Sequence, residues 1–315
     1  MKKIAFIDKV HPVLQEGLES MNWICDDLTK VPKSEISDSL ANYHGIVIRS
    51  RFPMNESILS KAHQLEFIAR SGAGMENIDT SYCSQRNIAL FNAPEGNRNA
   101  VAEHALGMIL SLFNNLPKGN QEIRDGIWDR EGNRGLELDG KVVGIIGYGN
   151  TGSTFAKKLR GFDVRVIAYD KYKTGFGDDF VEEVTLSQIQ EQATVVSLHV
   201  PETPVTKGMI NKRFLSQMDH PFYLLNLSRG SLVITADLVD GIDNAKVLGA
   251  CLDVLEYEKS SFEKMFDDDD QIPQACKHIL NSKKVILSPH VGGWTVESYQ
   301  KLSLVLLEKI KKAYS

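Results

Sequence analysis

Polar residues that can do acid, base and anion chemistry end apolar runs in the last third of the chain. Arg229 closes LLNLSR, Asp253 closes GACLD, Glu258 follows five positions later, and His290 closes VILSPH. A histidine exchanges protons near neutral pH, and a neighbouring carboxylate fixes its tautomer and favours the imidazolium. An arginine grips a carboxylate with two parallel hydrogen bonds. Beside a hydride donor these types would suit reduction of a 2-oxo acid, which needs a proton donor at the carbonyl oxygen and a cation on the carboxylate. Each also has an ordinary reading. Arg229 serves as a surface ion-pair partner, Glu258 as one more charge in the stretch Glu256 to Lys259, and His290 as a turn residue after Ser-Pro. A guanidinium cannot shed its charge, so a buried run that ends on one either surfaces there or faces an anion.

A second group narrows the choice. Gly147, Gly149 and Gly152 form G-x-G-x-x-G between a strand-like run, KVVGII, and a helix-like one, TGSTFAKKLRG. The next strand-like run ends at Asp170, 170 − 147 = 23 residues on. The first glycine makes a tight turn, the second lets backbone approach a pyrophosphate, and the third lets helix pack on strand. The helix N-terminus supplies N–H groups for the phosphates. Asp170 would accept from the ribose hydroxyls and repel a 2′-phosphate, which favours NAD over NADP, although Lys171 and Lys173 follow it directly.

The elements that must carry these residues are short apolar runs alternating with helical patterns, the mark of parallel sheets covered on both faces. KIAFI, GIVIR, EFIAR and IALFN form a first set; KVVGII, VRVIAY, TVVSLH, YLLNL, KVLGACL and KVILS form a second. Their carboxyl ends are repeatedly polar, and ligands bind beyond such ends in open sheets. The expectation is a cleft between two α/β domains. AVAEHALGMILSLFNN (100–115) reads as a helix with an apolar stripe of Val101, Ala105, Met108, Ile109 and Leu112, buried between units or subunits. The tail SYQKLSLVLLEKIKKAY reads as a second such helix. DDDD at 267–270 reads as a solvated loop, since it lacks the alternating ligands and glycine of a calcium loop.

Composition excludes several classes. A chain of 315 residues, 42% hydrophobic and with net charge −5, has material for two domains and no basic face for nucleic acid. Its four scattered cysteines show neither a disulfide framework nor zinc spacing, so no metal is expected and a reducing, cytoplasmic setting is. No run approaches a membrane span, and the apolar start stops at Asp8, too early for a signal peptide.

Taken in order, RSGAGMENID (70–79), NAVAEH (99–104), VGIIGYGNTG (143–152), LHVPETPVTKGMIN (198–211), NLSRGSLV (226–233), GACLDV (249–254) and SPHVGGWT (288–295) resemble the D-isomer-specific 2-hydroxyacid dehydrogenases over nearly the whole length. The resemblance implies a central Rossmann domain (98–287), a doubly wound parallel sheet, and a discontinuous flavodoxin-like substrate domain from both chain ends (1–97 and 288–315). It implies Arg229 for the substrate carboxylate, Glu258 as the partner carboxylate and His290 as the acid/base. For NAD it implies Gly147, Gly149, Asn150, Thr151, Gly152, Asp170, His199, Pro201, Thr206, Leu227, Ser228, Asp253 (near the nicotinamide amide), Gly292 and Gly293. For the small-molecule substrate it implies Arg49, Ser71, Gly72, Ala73 and Asn97. It also implies a homodimer that uses the 100–115 helix.

Within that family, VIRSRFPMN is similar to the phosphoglycerate dehydrogenases of serine biosynthesis. Arg49 and Arg51 stand two apart, and on an extended strand end period two sends both to one side, where they would suit a phosphorylated acid. Arg51 as a plain surface residue, and glyoxylate or hydroxypyruvate as substrate, stay open. So does an NAD-sensing corepressor-like scaffold on the same fold. Glu258 opposes a formate dehydrogenase, which has glutamine there. Two departures stand out: Lys259 replaces the usual proline, and the 290 − 258 = 32 positions from Glu258 to His290 exceed the usual length, as if adding a lobe. With the chain ending at Ser315, an appended regulatory domain and feedback by serine are not expected.

Overall fold

The computed structural model describes residues 1–258 and 272–314, and divides them into two compact units. The acidic run at 267–270, Lys259 and the extra lobe expected between Glu258 and His290 lie outside the described residues, apart from 272–290.

The first unit comprises Met1–Arg98 and Trp294–Ser315. Its strands are β1 (Lys3–Phe6), β2 (Ile24–Asp27), β3 (Gly45–Ile48), β4 (Phe67–Arg70) and β5 (Ala89–Asn92). They form one parallel sheet in the order β2-β1-β3-β4-β5. Helices α1 (Pro12–Glu19), α2 (Lys33–Ser39), α3 (Glu56–Leu59) and α4 (Thr80–Gln85) join them. A long helix, α5 (Pro94–Phe113), follows β5, and the boundary between the units falls within it, after Arg98. β3 is buried along its whole length, and two apolar clusters form around the sheet. One cluster is closed by Leu302, Leu306, Leu307 and Ile310 of the last helix of the chain. Gly17 on α1 admits that helix, because a Cβ there would lie 2.2 Å from Leu307 Cδ2.

The second unit, Asn99–Gly293, begins with the rest of α5 and with α6 (Leu116–Arg124). Its strands are β6 (Val142–Ile146), β7 (Arg165–Tyr169), β8 (Val181–Glu183), β9 (Val195–Leu198), β10 (Phe222–Asn226), β11 (Val247–Leu252) and β12 (Val285–Leu287). They run parallel in the order β12-β11-β10-β9-β6-β7-β8. The helices between them are α7 (Asn150–Leu159), α8 (Leu186–Gln192), α9 (Lys212–Gln217), α10 (Thr235–Asp243) and α11 (Gln274–Asn281); α12 (Val296–Tyr314) returns to the first unit.

The sequence pattern missed β2 and β8. Both are edge strands, ICDD and VEE, without the apolar run that marked the central strands. The second division also lies later than the expected 287/288. The stretch 288–293 stays with the second unit because Asp253 holds it: Val291 and Gly292 donate backbone N–H to its carboxylate at 2.9 and 2.7 Å. Most of the apolar stripe of the 100–115 helix is covered from within its own unit. Val101, Ala105, Met108 and Ile109 pack in the second unit's own core with Val143, Ile145 and Phe155, so this stripe is not a free surface. Five exposed apolar side chains follow it: Leu116, Ile123, Ile127, Trp128 and Leu136.

Candidate active site

Strand order changes direction between β6 and β9, and in open α/β sheets ligands sit beyond that point. The glycine loop leaves β6 there. Gly147 has φ of +96°, a region that a side chain rarely adopts, and a Cβ on it would lie 2.5 Å from the His199 carbonyl. A Cβ on Gly152 would lie 2.0 Å from the Gly147 carbonyl, so the start of α7 rests on the loop. Gly149 differs, with nothing within 4 Å of its added Cβ. It caps α7 without a side-chain hydrogen bond to the helix, which leaves the first N–H groups without that partner. Asn150 and Thr151 open the helix.

These residues fit NAD. The space over Gly149 and the start of α7 suit a pyrophosphate. Asp170 stands at the end of β7, where its carboxylate accepts from the backbone N–H of Tyr148 at 2.8 Å, Tyr172 at 2.9 Å and Lys173 at 3.0 Å. Three amides fix the carboxylate and leave it acceptor capacity for a ribose hydroxyl. The Lys173 ammonium donates to the Tyr148 carbonyl at 3.3 Å.

His199 lies beneath the loop rather than in the open. Burial pushes its pKa down to about 3, so it is neutral, and its Nε2 is 2.8 Å from Ser197 Oγ. Thr206 closes its own turn, donating to the Pro201 carbonyl at 2.6 Å. Leu227 is buried, and Ser228 donates to the Leu198 carbonyl at 2.8 Å, tying the end of β10 to β9.

Arg229 opens the short 3₁₀ turn Gly230–Leu232. Asn226 anchors that step, donating to the Arg229 carbonyl at 2.9 Å, while Arg229 Nη1 donates to the Ser228 carbonyl at 2.7 Å. A Cβ on Gly230 would lie 1.9 Å from the Leu255 carbonyl, so the arginine's turn packs directly on the segment that leads to Glu258. Glu256 is occupied elsewhere, accepting from Thr235 N at 2.8 Å at the start of α10. Glu258 meets His290: both carboxylate oxygens lie 3.2 Å from Nδ1. Arg229, Glu258 and His290 thus belong to one unit and one chain of contacts. Asp253, 2% exposed, has both oxygens engaged by Ser288 and by the amides of Val291 and Gly292. It holds the histidine's loop, a role the sequence did not signal; Gly293 ends that loop and the unit.

The expected substrate residues lie in the first unit. That sheet changes direction between β1 and β3, where Asp8 accepts the backbone N–H of Arg49 at 2.6 Å and of Arg51 at 3.3 Å. β3 has already ended at Ile48, so period two does not apply and the two arginines part. Arg51 donates to the carbonyls of Ile7, Leu28 and Val31 at 3.3, 3.3 and 2.8 Å. Arg49 stacks 3.9 Å from the ring centroid of Trp294, a residue that no sequence signal singled out, and burial lowers its pKa from the ordinary value. Ser71 and Asn97 each bury an oxygen that has no hydrogen-bond partner among the described residues. The Ala73 carbonyl accepts from Asn92, and Gly72 lies under Arg70, where a Cβ would come 1.7 Å from Nη1.

Residues 106–292 match the family model for the NAD-binding domain of D-isomer specific 2-hydroxyacid dehydrogenases. D-3-phosphoglycerate dehydrogenase of Synechocystis is 30% identical over 313 residues, 99% of this chain and 54% of that protein. The chain spans about half the length of the curated phosphoglycerate dehydrogenases it matches. Hydroxypyruvate reductase of Thermotoga maritima is 31% identical over 280 residues, 89% of this chain and 88% of that one. Among solved structures, D-lactate dehydrogenase of Aquifex aeolicus, complexed with NAD and lactic acid, superposes with a TM-score of 0.82 at 26% identity over 99% of this chain and 95% of that one. The glycine loop with its aspartate, the histidine with its carboxylate and these likenesses agree: the chain belongs to the D-isomer-specific 2-hydroxyacid dehydrogenase family, and its second unit is that family's NAD-binding domain.

Proposed function

We propose that the protein interconverts a small D-2-hydroxy acid and its 2-oxo acid with NAD. The observation that carries the reading is the pairing of His290 Nδ1 with both oxygens of Glu258, on the unit that holds the glycine loop. An ionised carboxylate only accepts, so Nδ1 carries a proton and Nε2 is the nitrogen that exchanges one with the substrate oxygen. NAD supplies or accepts the hydride when bound. Arg229 would hold the carboxylate by two hydrogen bonds, and Glu258 would keep the imidazole oriented and offset its charge. The remaining cofactor and substrate residues named above complete this reading.

The substrate we favour is 3-phosphohydroxypyruvate, with 3-phosphoglycerate as its partner in serine biosynthesis; the similarity to phosphoglycerate dehydrogenases supports it. Hydroxypyruvate is the second reading. The three carbonyls on Arg51 favour it, because they engage the Nη groups of one of the two cations on which the phosphate rested. The reading includes a cytoplasmic setting; among the described residues no helix is long and apolar enough to cross a membrane.

The test is NADH oxidation with 3-phosphohydroxypyruvate, hydroxypyruvate, glyoxylate and pyruvate, repeated with NADPH. The expected result is turnover with the first and a preference for NADH. Tight NADH binding without turnover of any of the four would favour the corepressor-like scaffold instead. In the active protein, His290→Ala and Arg229→Ala should each cut turnover by ~10²–10⁴-fold while NADH binding survives. Full activity in either variant removes that residue from the mechanism.

A further inference from the structure

His290 has φ of +54°. That left-handed conformation is unusual for a residue other than glycine, and it persists only where the surroundings hold it. The hold comes from Asp253. Its carbonyl accepts His290 N–H at 2.8 Å, and its carboxylate accepts the next two amides, those of Val291 and Gly292. Gly292 is needed for the approach, since a Cβ there would lie 2.8 Å from Asp253 Oδ2. A carboxylate this buried depends on every donor it has.

The remaining donor is Ser288, whose Oγ lies 2.6 Å from Asp253 Oδ1. A hydroxyl has one proton, and the shorter contact, to a charged acceptor, takes it. Ser288 Oγ also lies 2.9 Å from His104 Nε2 and 3.7 Å from Met108 Sδ. With its proton given to Asp253, the serine can only accept from His104. The direction of the relay is therefore fixed: His104 Nε2–H donates to Ser288, and Ser288 donates to Asp253. His104 and Met108 are one helical turn apart on α5, so both reach the same serine. His104 Nε2 is 3.7 Å from Asp253 Oδ1 as well.

We propose that His104 is a positioning residue for His290, acting through Ser288 and Asp253. The proposal rests on the reading of His290 as the acid/base. It sets His104 apart from the machinery that touches substrate: removing its N–H loosens the clamp on the left-handed loop and misaims the imidazole.

The experiment compares His104→Phe, His104→Gln, Ser288→Ala and the double variant His104→Phe/Ser288→Ala. We expect His104→Phe and Ser288→Ala each to lower kcat on the best 2-oxo acid by about five- to tenfold, the effect of one hydrogen bond, with KM for that acid unmoved. His104→Gln, which keeps an N–H donor at similar reach, should recover most of the loss. The double variant should be no worse than either single one, because both cut the same relay. If His104→Phe does not fold, Ser288→Ala and His104→Gln carry the kinetic test. Nitrogen NMR of the unaltered full chain should find a proton on His104 Nε2. Unchanged kcat in His104→Phe, additive losses in the double variant, or a His104 Nε2 without a proton would each overturn the proposal. The tautomer is readable in an inactive protein, so it separates this proposal from the proposed dehydrogenase activity, which the substrate screen tests.

Discussion

At the scale of single residues, burial and partners decide what a side chain is free to do. His199 is held neutral by burial, with its pKa pushed down to about 3 from an ordinary 6.5. The unfolded chain therefore binds a proton on this residue between those values and the folded chain does not. Its contribution to stability is complete above pH 6.5 and declines as pH falls toward 3, by ~1.4 kcal/mol per pH unit in the steep part. Denaturant unfolding of His199→Phe from pH 7 to 4 should show a shallower fall in stability than the unaltered protein, whatever its stability at pH 7. Parallel slopes would mean that other groups set the acid limb. Arg51 makes the opposite point about freedom. Three of its five N–H donors go to carbonyls, so Arg51→Ala should cost roughly 1–3 kcal/mol of stability by leaving partly buried acceptors unmatched. Its effect on kcat/KM should be equal for 3-phosphohydroxypyruvate and hydroxypyruvate. A loss confined to the phosphorylated acid would return Arg51 to the substrate.

At the scale of elements, the β6-loop-α7 unit separates glycines that the fold needs from the one that a ligand needs. Gly147 and Gly152 are constrained by the protein's own backbone, since a Cβ on them would lie 2.5 and 2.0 Å from carbonyl oxygens, and Ala at either should destabilise the unit. Gly149 has φ of −84° and open space around its Cβ position, so the chain itself tolerates Ala there. Gly149→Ala should keep its melting temperature and weaken NADH binding by roughly ten- to a hundred-fold, the effect of losing charge-assisted hydrogen bonds to phosphate. Fluorescence titration beside a thermal melt checks both halves. Unimpaired NADH binding would place the phosphates elsewhere.

At the scale of the whole molecule, the run from α6 to Leu136 carries five exposed apolar side chains. Trp128 is 80% exposed and Leu116, Ile123 and Ile127 are each at least half exposed. Scattered apolar side chains are ordinary on a surface, and five within 21 residues would mark an interaction site where they form one patch. The homodimer that the sequence resemblance implied would then use this run, since the stripe of the 100–115 helix packs internally. Light scattering should report a dimer for the unaltered protein and a larger monomer fraction for Ile127→Ser/Trp128→Ser. A monomer at micromolar concentration without substitution would sink the dimer.

The sequence alone determined the parallel α/β fold, because buried central strands must read as continuous apolar runs, and VVGII, VVSL and GIVI do so. It also determined the glycine loop and its aspartate, whose spacing is imposed locally by one strand, one turn and one helix. The short edge strands ICDD and VEE escaped it, since an edge strand need not be apolar. What only the tertiary structure decided is where side chains point once a strand has ended. Asp8 turns the chain after Ile48 and sends Arg49 to Trp294, 294 − 49 = 245 residues away, and Arg51 to backbone carbonyls. Asp253 was legible as a polar strand end, but its hold on residues 288–292 and the relay from His104 were not. Those contacts join residues 35 and 184 positions apart, and a hydrogen bond between such distant residues leaves no periodicity or spacing for a sequence to show.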